Sequence, residues 1–190
     1  MRGVFHAATG LALAFLIFWM GEERGLILIG ALFLFTILTE ILRLRVTGVN
    51  RILVSLAGPI LKDAEISHPT GVGYFLGGAL GCLLFFGLEV TLASIVILSA
   101  GDPAAAVVGR RWGRVRIGEK SLEGTMAFLA SAMAAGMVLQ GFWPGITITT
   151  FSMGTLIAAV VEVLPLKMDD NLRVPLAAGL AMQTLMRLFE

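Results

Sequence analysis

Long apolar runs broken by short polar punctuation recur along this chain. Seven can be marked, at residues 4–20, 25–42, 71–88, 90–109, 125–140, 146–164 and 174–188, the fifth of them short. Most approach the roughly 20 residues that a helix needs to cross about 30 Å of hydrocarbon. Backbone polar groups inside a bilayer must be satisfied within the segment, so such runs predict helices and not loops. The expected fold is all-α and polytopic, with about seven transmembrane helices. Residues 46–64 are also apolar, but Asn50, Arg51, Pro59 and Lys62 interrupt them. That stretch is expected to be an interfacial or re-entrant segment. The seven runs use most of the 190 residues, which leaves no room for a sizeable soluble domain. Residues 1–190 therefore read as a single integral-membrane domain. The first run lacks a polar cleavage region, and residues 21–24 (Gly-Glu-Glu-Arg) form a tight loop to the next, so it is read as a span and not a signal peptide.

Composition agrees with the pattern. The chain is 57% hydrophobic, with a mean hydropathy of +0.92. Its net charge of +1 says little, but its placement says more. With the N-terminus inside, twelve of the fourteen Lys and Arg fall on the cytoplasmic side, and only Arg24 and Arg187 fall outside. The positive-inside rule then puts the N-terminus and the basic 109–120 loop in the cytoplasm and the C-terminus outside. The lone Cys82 excludes an intrachain disulfide and a cysteine metal cluster. No repeat or low-complexity tract is visible. No nucleic-acid partner is expected, and the oligomeric state stays open.

Ionisable groups inside apolar runs cost about 2.5–3.5 kcal/mol each at the bilayer centre, so each asks for a reason. Glu40 has Arg43 one turn later, which is an i,i+3 ion pair as readily as part of a site. Glu162 lies near Pro165, at the inner end of its run, where a carboxylate reaches water. Asp102 is too short and too deep to snorkel. The sequence Gly101-Asp102-Pro103 reads as a helix start with Asp as N-cap, as a functional carboxylate at a broken helix, or as both.

Downstream, Arg110, Arg111, Arg114, Arg116 and Lys120 are interleaved with Gly109, Gly113 and Gly118. A positive-inside loop explains the charge but not the glycines, which allow close backbone approach. Lys120 and Ser121 stand at the start of the fifth run, where helix N–H groups and an ammonium can hold phosphate oxygens. The pattern Gly113-x-x-x-x-Gly118-Glu119-Lys120-Ser121 is one insertion from a P-loop, but an all-helical chain lacks the preceding strand. Asp169-Asp170-Asn171 opens the seventh run; one of the three suffices for a cap, and the pair of acids suits Mg²⁺. His6, one turn from Arg2, is an interfacial histidine or a catalyst.

Three stretches in order resemble a known family: Gly-Asp-x-x-Ala-x-x-x-Gly-Arg-x-x-Gly at 101–113, Lys-Ser-x-Glu-Gly-Thr at 120–125, and Asp-Asp-Asn-x-x-x-Pro at 169–175. The chain is similar to the CTP-dependent lipid-alcohol kinases, meaning the dolichol, phytol and yeast-type diacylglycerol kinases, which are relatives of phosphatidate cytidylyltransferase. Glu40-x-x-Arg43, Asn50, Glu65…Gly71-x-Gly73-Tyr74 and Arg2-x-x-x-His6 extend the likeness upstream.

The resemblance implies transfer of the γ-phosphate of CTP to a membrane lipid hydroxyl, with Mg²⁺ as cofactor. It implies that Asp102 with Asp169 or Asp170 holds the metal, and that Lys120, Arg110 and Arg111 neutralise developing charge. Gly101, Gly109, Gly113, Ser121, Asn171, Glu40, Arg43 and Asn50 are then expected to bind the nucleotide, with Glu123, Asp170 or His6 as base. The cytidylyltransferase branch carries a His-Gly-Gly signature that is absent here. A small transporter is the alternative from another class, but it predicts acids spread through several spans and an internal repeat.

Overall fold

The computed structural model describes residues 2–57, 63–141 and 145–189. Of the residues singled out above, Pro59 and Lys62 lie outside the described residues, as does the Arg2 side chain. Seven α-helices are present among the described residues: α1 (Arg2–Met20), α2 (Glu22–Arg45), α3 (Thr47–Ala57), α4 (Gly71–Trp112), α5 (Leu122–Gln140), α6 (Ile148–Val163) and α7 (Asp170–Phe189). A 3-10 turn at Asp63–Ile66 precedes α4. A hairpin of two-residue strands, β1 (Arg116–Ile117) and β2 (Lys120–Ser121), separates α4 from α5.

At 42 residues α4 would extend about 63 Å if straight, twice the depth of a bilayer core. It does not run straight. Gly87 has φ 77° and ψ −176°, a conformation open essentially to glycine alone, and it divides α4 into α4a (71–86) and α4b (88–112). The Cys82 and Ser94 side chains meet across the break, although twelve residues of continuous helix would set them about 18 Å apart. The chain therefore doubles back at Gly87. The third and fourth apolar runs become separate antiparallel segments, as their lengths predict.

Contacts at small residues show how the other helices run. A Cβ at Gly77 would meet Phe33, and one at Gly73 would meet Thr36, so α2 is antiparallel to α4a. On α1, Gly3 sits against Pro103 and Gly10 against Ser99, so α1 is antiparallel to α4b. Gly101 against Phe128 and Gly109 against Gly124 set α5 antiparallel to α4b; Gly136 against Phe151 and Gly154 against Met182 carry the alternation through α6 to α7. The result is an up-and-down bundle. One end gathers the start of α1, the end of α2, the start of α4a, the end of α4b, the hairpin and the α6–α7 connection. The opposite end holds Gly21, Gly87 and the α5–α6 connection.

α4b is the central helix: every residue from Val90 to Ser99 is buried. A helix that is apolar all round belongs inside a bundle. Outside, Phe15, Trp19, Phe35, Phe85 and Leu188 turn large apolar side chains outward, with Trp19 79% exposed. Three helices are long and apolar enough to cross a membrane by length and composition, namely α2, α4 and α5, and residues 5–20 and 148–163 form shorter apolar helices. The chain is an integral membrane protein.

Two local expectations are corrected. The helix is not broken at Gly101-Asp102-Pro103; it continues through all three residues, and Asp102 is not an N-cap. Pro103 removes the helical donor that would reach the Ser99 carbonyl, and beside it Ser131 of α5 donates to the Ala100 carbonyl at 3.0 Å, which ties α5 to α4b at this point. The stretch read as a basic loop over 109–120 is helical as far as Trp112 and then forms the β1–β2 hairpin, whose turn uses Gly118 at φ 61°.

Candidate active site

At the polar end, a cavity of about 150 Å³ is lined by Asp102, Ala105, Ala106, Gly109 and Arg110 of α4b, by Arg116, Glu119, Lys120 and Ser121 of the hairpin, by Gly124 and Thr125 of α5, and by Glu162 of α6. Residues far apart in sequence converge here because α4b ends, α5 begins and α6 ends at the same level. Small residues make the convergence possible. Gly101, Ala105, Gly109 and Gly113 recur every four residues along one face of α4b. A Cβ at Gly124 would lie 3.0 Å from the Ala105 carbonyl oxygen and 3.3 Å from Gly109 Cα. The glycines thus bring α4b and α5 together. Gly109 lines the cavity, whereas Gly101 packs on Phe128 and Gly113 on Ser121.

Lys120 is the hub. Its Nζ donates to Asp170 Oδ2 at 2.7 Å and to Glu162 Oε1. Burial alone would lower its pKa, but the hydrogen bonds and charges of Asp170 and Glu162 outweigh burial and hold the ammonium above the usual lysine range. On the far side of Asp170, Arg173 Nε donates to Oδ1 at 2.8 Å. Arg173 Nη1 also donates to the Leu164 carbonyl at 2.9 Å and so closes the C-terminus of α6. Glu162, Lys120, Asp170 and Arg173 therefore form an alternating chain of two acids and two bases.

Two carboxylate functions are left over. The Glu162 side chain is 2% exposed, and its Oε2 is buried with no hydrogen-bond partner among the described residues. Asp102 makes no hydrogen bond or ion pair among the described residues, and its charge is close enough to be felt at Glu162. Asp102 is half-buried, whereas a sealed carboxylate oxygen without a partner, as at Glu162 Oε2, is costly. A hard cation with oxygen ligands is what this donor set fits, since Mg²⁺ is commonly held by one or two carboxylates together with phosphates and water. Opposite, Arg110 and Arg116 line the cavity, and neither has a partner among the described residues. Guanidinium groups of this kind suit phosphate oxygens.

Of the remaining expected site residues only Ser121 lines the cavity. Arg111 is exposed and stacks on Trp112, with its guanidinium 5.1 Å from the ring centre. Ser121 Oγ accepts from Gly124 N at 3.1 Å and caps α5. The Glu123 carboxylate accepts the Val115 N–H at 3.2 Å and holds the hairpin to α5. Asp169 Oδ1 accepts from Asn171 N at 2.9 Å and caps α7, and Asn171 Nδ2 donates to the Gly71 carbonyl at 3.3 Å. His6 sits edge-on to Phe75 between α1 and α4, with Nε2 buried and without a partner, outside the lining of the cavity.

Glu40, Arg43 and Asn50 form a separate knot. All five Arg43 N–H groups are used: Nε and Nη2 on Glu40 Oε2, Nη1 on Asn50 Oδ1 and the Glu65 carbonyl, and Nη2 again on the His68 carbonyl. Glu40 Oε1 accepts from Thr70 Oγ1 at 2.7 Å, and Asn50 Nδ2 donates to the Ile66 carbonyl at 3.0 Å. The knot fastens α2, α3 and the 3-10 turn to the start of α4 and leaves Arg43 no donor for a nucleotide. The residues that sequence reasoning left out of the site are Glu162, Arg116 and Arg173. For Glu162 the signal was present, as an acid inside an apolar run.

No protein-family model matches the chain, and no solved structure does. Curated proteins do. The chain is 26% identical to the CTP-dependent diacylglycerol kinase 1 of Saccharomyces cerevisiae, over 100% of this chain and 74% of that protein. It is 26% identical to the enzyme of the same name from Eremothecium gossypii, over 97% of this chain and 66% of that protein. It is 30% identical to the phytol kinase of Synechocystis sp., over 64% of this chain and 58% of that protein. The chain thus spans about three quarters of the first relative and less than two thirds of the other two. The chain is thus similar along its whole length to the yeast enzyme, and over much of it to the phytol kinase, both of them named as lipid kinases.

Proposed function

We propose that the protein transfers the γ-phosphate of CTP to the hydroxyl of a membrane lipid alcohol (diacylglycerol, a polyprenol or a phytol-like isoprenoid), giving the lipid monophosphate and CDP. The observation that carries this reading is the cavity itself. It brings together Arg110, Arg116 and Asp102, which have no partner among the described residues, and Glu162, whose Oε2 has none among them, at one end of an apolar bundle. In the proposed arrangement seven segments cross the bilayer, so that this end lies at headgroup level, where a lipid hydroxyl is found. The N-terminus and the cavity face the cytoplasm, and the C-terminus lies outside.

In this mechanism the lipid oxygen attacks the γ-phosphorus in line, CDP leaves, and the hydroxyl proton passes to a base of this chain, with Asp170, Glu123 and His6 the proposed candidates. Arg110 and Arg116 hold the phosphate oxygens, and Lys120 meets the charge that develops on transfer. Mg²⁺, when bound, neutralises the triphosphate, and Asp102 is the expected acid that faces it from this chain.

The test is the fate of the label. With γ-³²P-CTP and a panel of lipid alcohols, the label is expected in the lipid product. Lys120→Ala should slow transfer by roughly a hundredfold or more, the scale of removing a preorganised donor. Retention of α-³²P in the lipid, with pyrophosphate released, would mean nucleotidyl transfer instead.

A further inference from the structure

The alternating chain of acids and bases accounts for Asp170 on both sides, but it accounts for only one oxygen of Glu162 and nothing of Asp102. The Glu162 Oε2 atom is sealed from solvent and has no hydrogen-bond partner among the described residues, and Glu162 and Asp102 line the same cavity. Asp169, the other acid expected to hold a metal, spends Oδ1 on the cap of α7 and does not line the cavity.

We propose that Asp102 and Glu162 together form the divalent-cation site of this protein, and that the Lys120 ammonium is the counter-charge that competes with the cation for Glu162. This deepens the kinase reading, since it says where the metal of a metal–triphosphate would rest. It stands on carboxylate geometry and can be tested with no nucleotide present. It also makes Lys120 a timed participant. The lysine lines the same cavity as Arg110 and Arg116 but is held on Glu162 and Asp170; a cation on Glu162 would free it for phosphate oxygens.

The probe is Mn²⁺, followed by its electron paramagnetic resonance signal in detergent-purified whole protein, without and then with CTP. The wild type is expected to bind Mn²⁺ in competition with Mg²⁺. Asp102→Asn and Glu162→Gln should each weaken binding by more than about tenfold, a loss that even supporting residues around metal sites reach. Asp169→Asn, whose amide oxygen still caps α7, should bind as the wild type does. Lys120→Met should bind Mn²⁺ more tightly, because the competing ammonium is gone. A merely structural salt bridge predicts the opposite for Lys120→Met, and thermal unfolding of each variant separates loss of fold from loss of a ligand. The proposal is overturned if the wild type binds no Mn²⁺ with or without CTP, if Glu162→Gln is silent, or if Asp169→Asn weakens binding as Glu162→Gln is expected to. Failure of γ-phosphate transfer alongside intact, Glu162-dependent Mn²⁺ binding would instead remove the kinase reading and leave the site standing.

Discussion

At the scale of single residues, the sharpest contrast is between Arg43 and Arg110. Both are arginines at the polar end, and both were expected to bind nucleotide. Arg43 is 5% exposed with every donor occupied, whereas Arg110 has no partner among the described residues and lines the cavity. The i,i+3 spacing made the Glu40–Arg43 pair legible in the sequence. The partners that decide its role, Asn50 and the carbonyls of Glu65 and His68, come from a different helix and a loop, and no spacing announces them. Removing Arg43 leaves the Glu40 carboxylate buried and half-satisfied. Arg43→Ala should therefore cost about 3–5 kcal/mol of stability, the scale of breaking a buried pair. It should lower the thermal transition in detergent while the folded fraction keeps its KM for CTP. A raised KM with an unchanged transition would return Arg43 to the nucleotide.

At the scale of elements, apolar run length was a good guide. Six of the seven runs coincide with a helix or half-helix to within a few residues, and the seventh, residues 174–188, lies inside the longer α7. What run length cannot see is which punctuation is a turn. Asp102-Pro103 carries the signature of a helix start, yet α4b passes straight through it, because inside a bundle the backbone has no water to turn to. Gly87, in a run with no proline or aspartate, is where the chain reverses. The four-residue stripe from Gly101 to Gly113 was visible too, but it was read as room for a nucleotide, and its first use is to let α5 approach α4b. Gly87→Ala tests the break directly. With φ at 77° and ψ near 180°, a Cβ strains the backbone by about 1–3 kcal/mol even though the nearest atom, Glu22 Oε2, is 3.9 Å away. A lower unfolding temperature is expected. A neutral substitution would show that α4 does not need this reversal.

At the scale of the whole molecule, the site was legible as a set of residue types and not as a place. Asp102, Lys120, Glu162 and Asp170 lie on four different elements, and only the alternating directions of α4b, α5, α6 and α7 bring them to one level. Charge placement did foresee that level, because twelve of fourteen cationic residues fall on one side of the predicted spans. The bundle gives that side a geometric meaning. Arg114, Lys120 and Arg173 stand at the end that holds the cavity, while Glu22, beside Gly87, stands at the other. If the seven segments each cross the bilayer, these two ends lie on opposite faces of the membrane. In a Cys82→Ser background, a membrane-impermeant thiol reagent applied to sealed cells should label Glu22→Cys from outside and reach Arg114→Cys only after the membrane is opened. Exposure favours the experiment, since both positions are solvent-accessible in the bundle. Labelling of both from the same face would mean that fewer segments cross than the bundle contains. Labelling of Arg114→Cys from outside would place the cavity away from the cytoplasmic surface, out of reach of a cytoplasmic nucleotide.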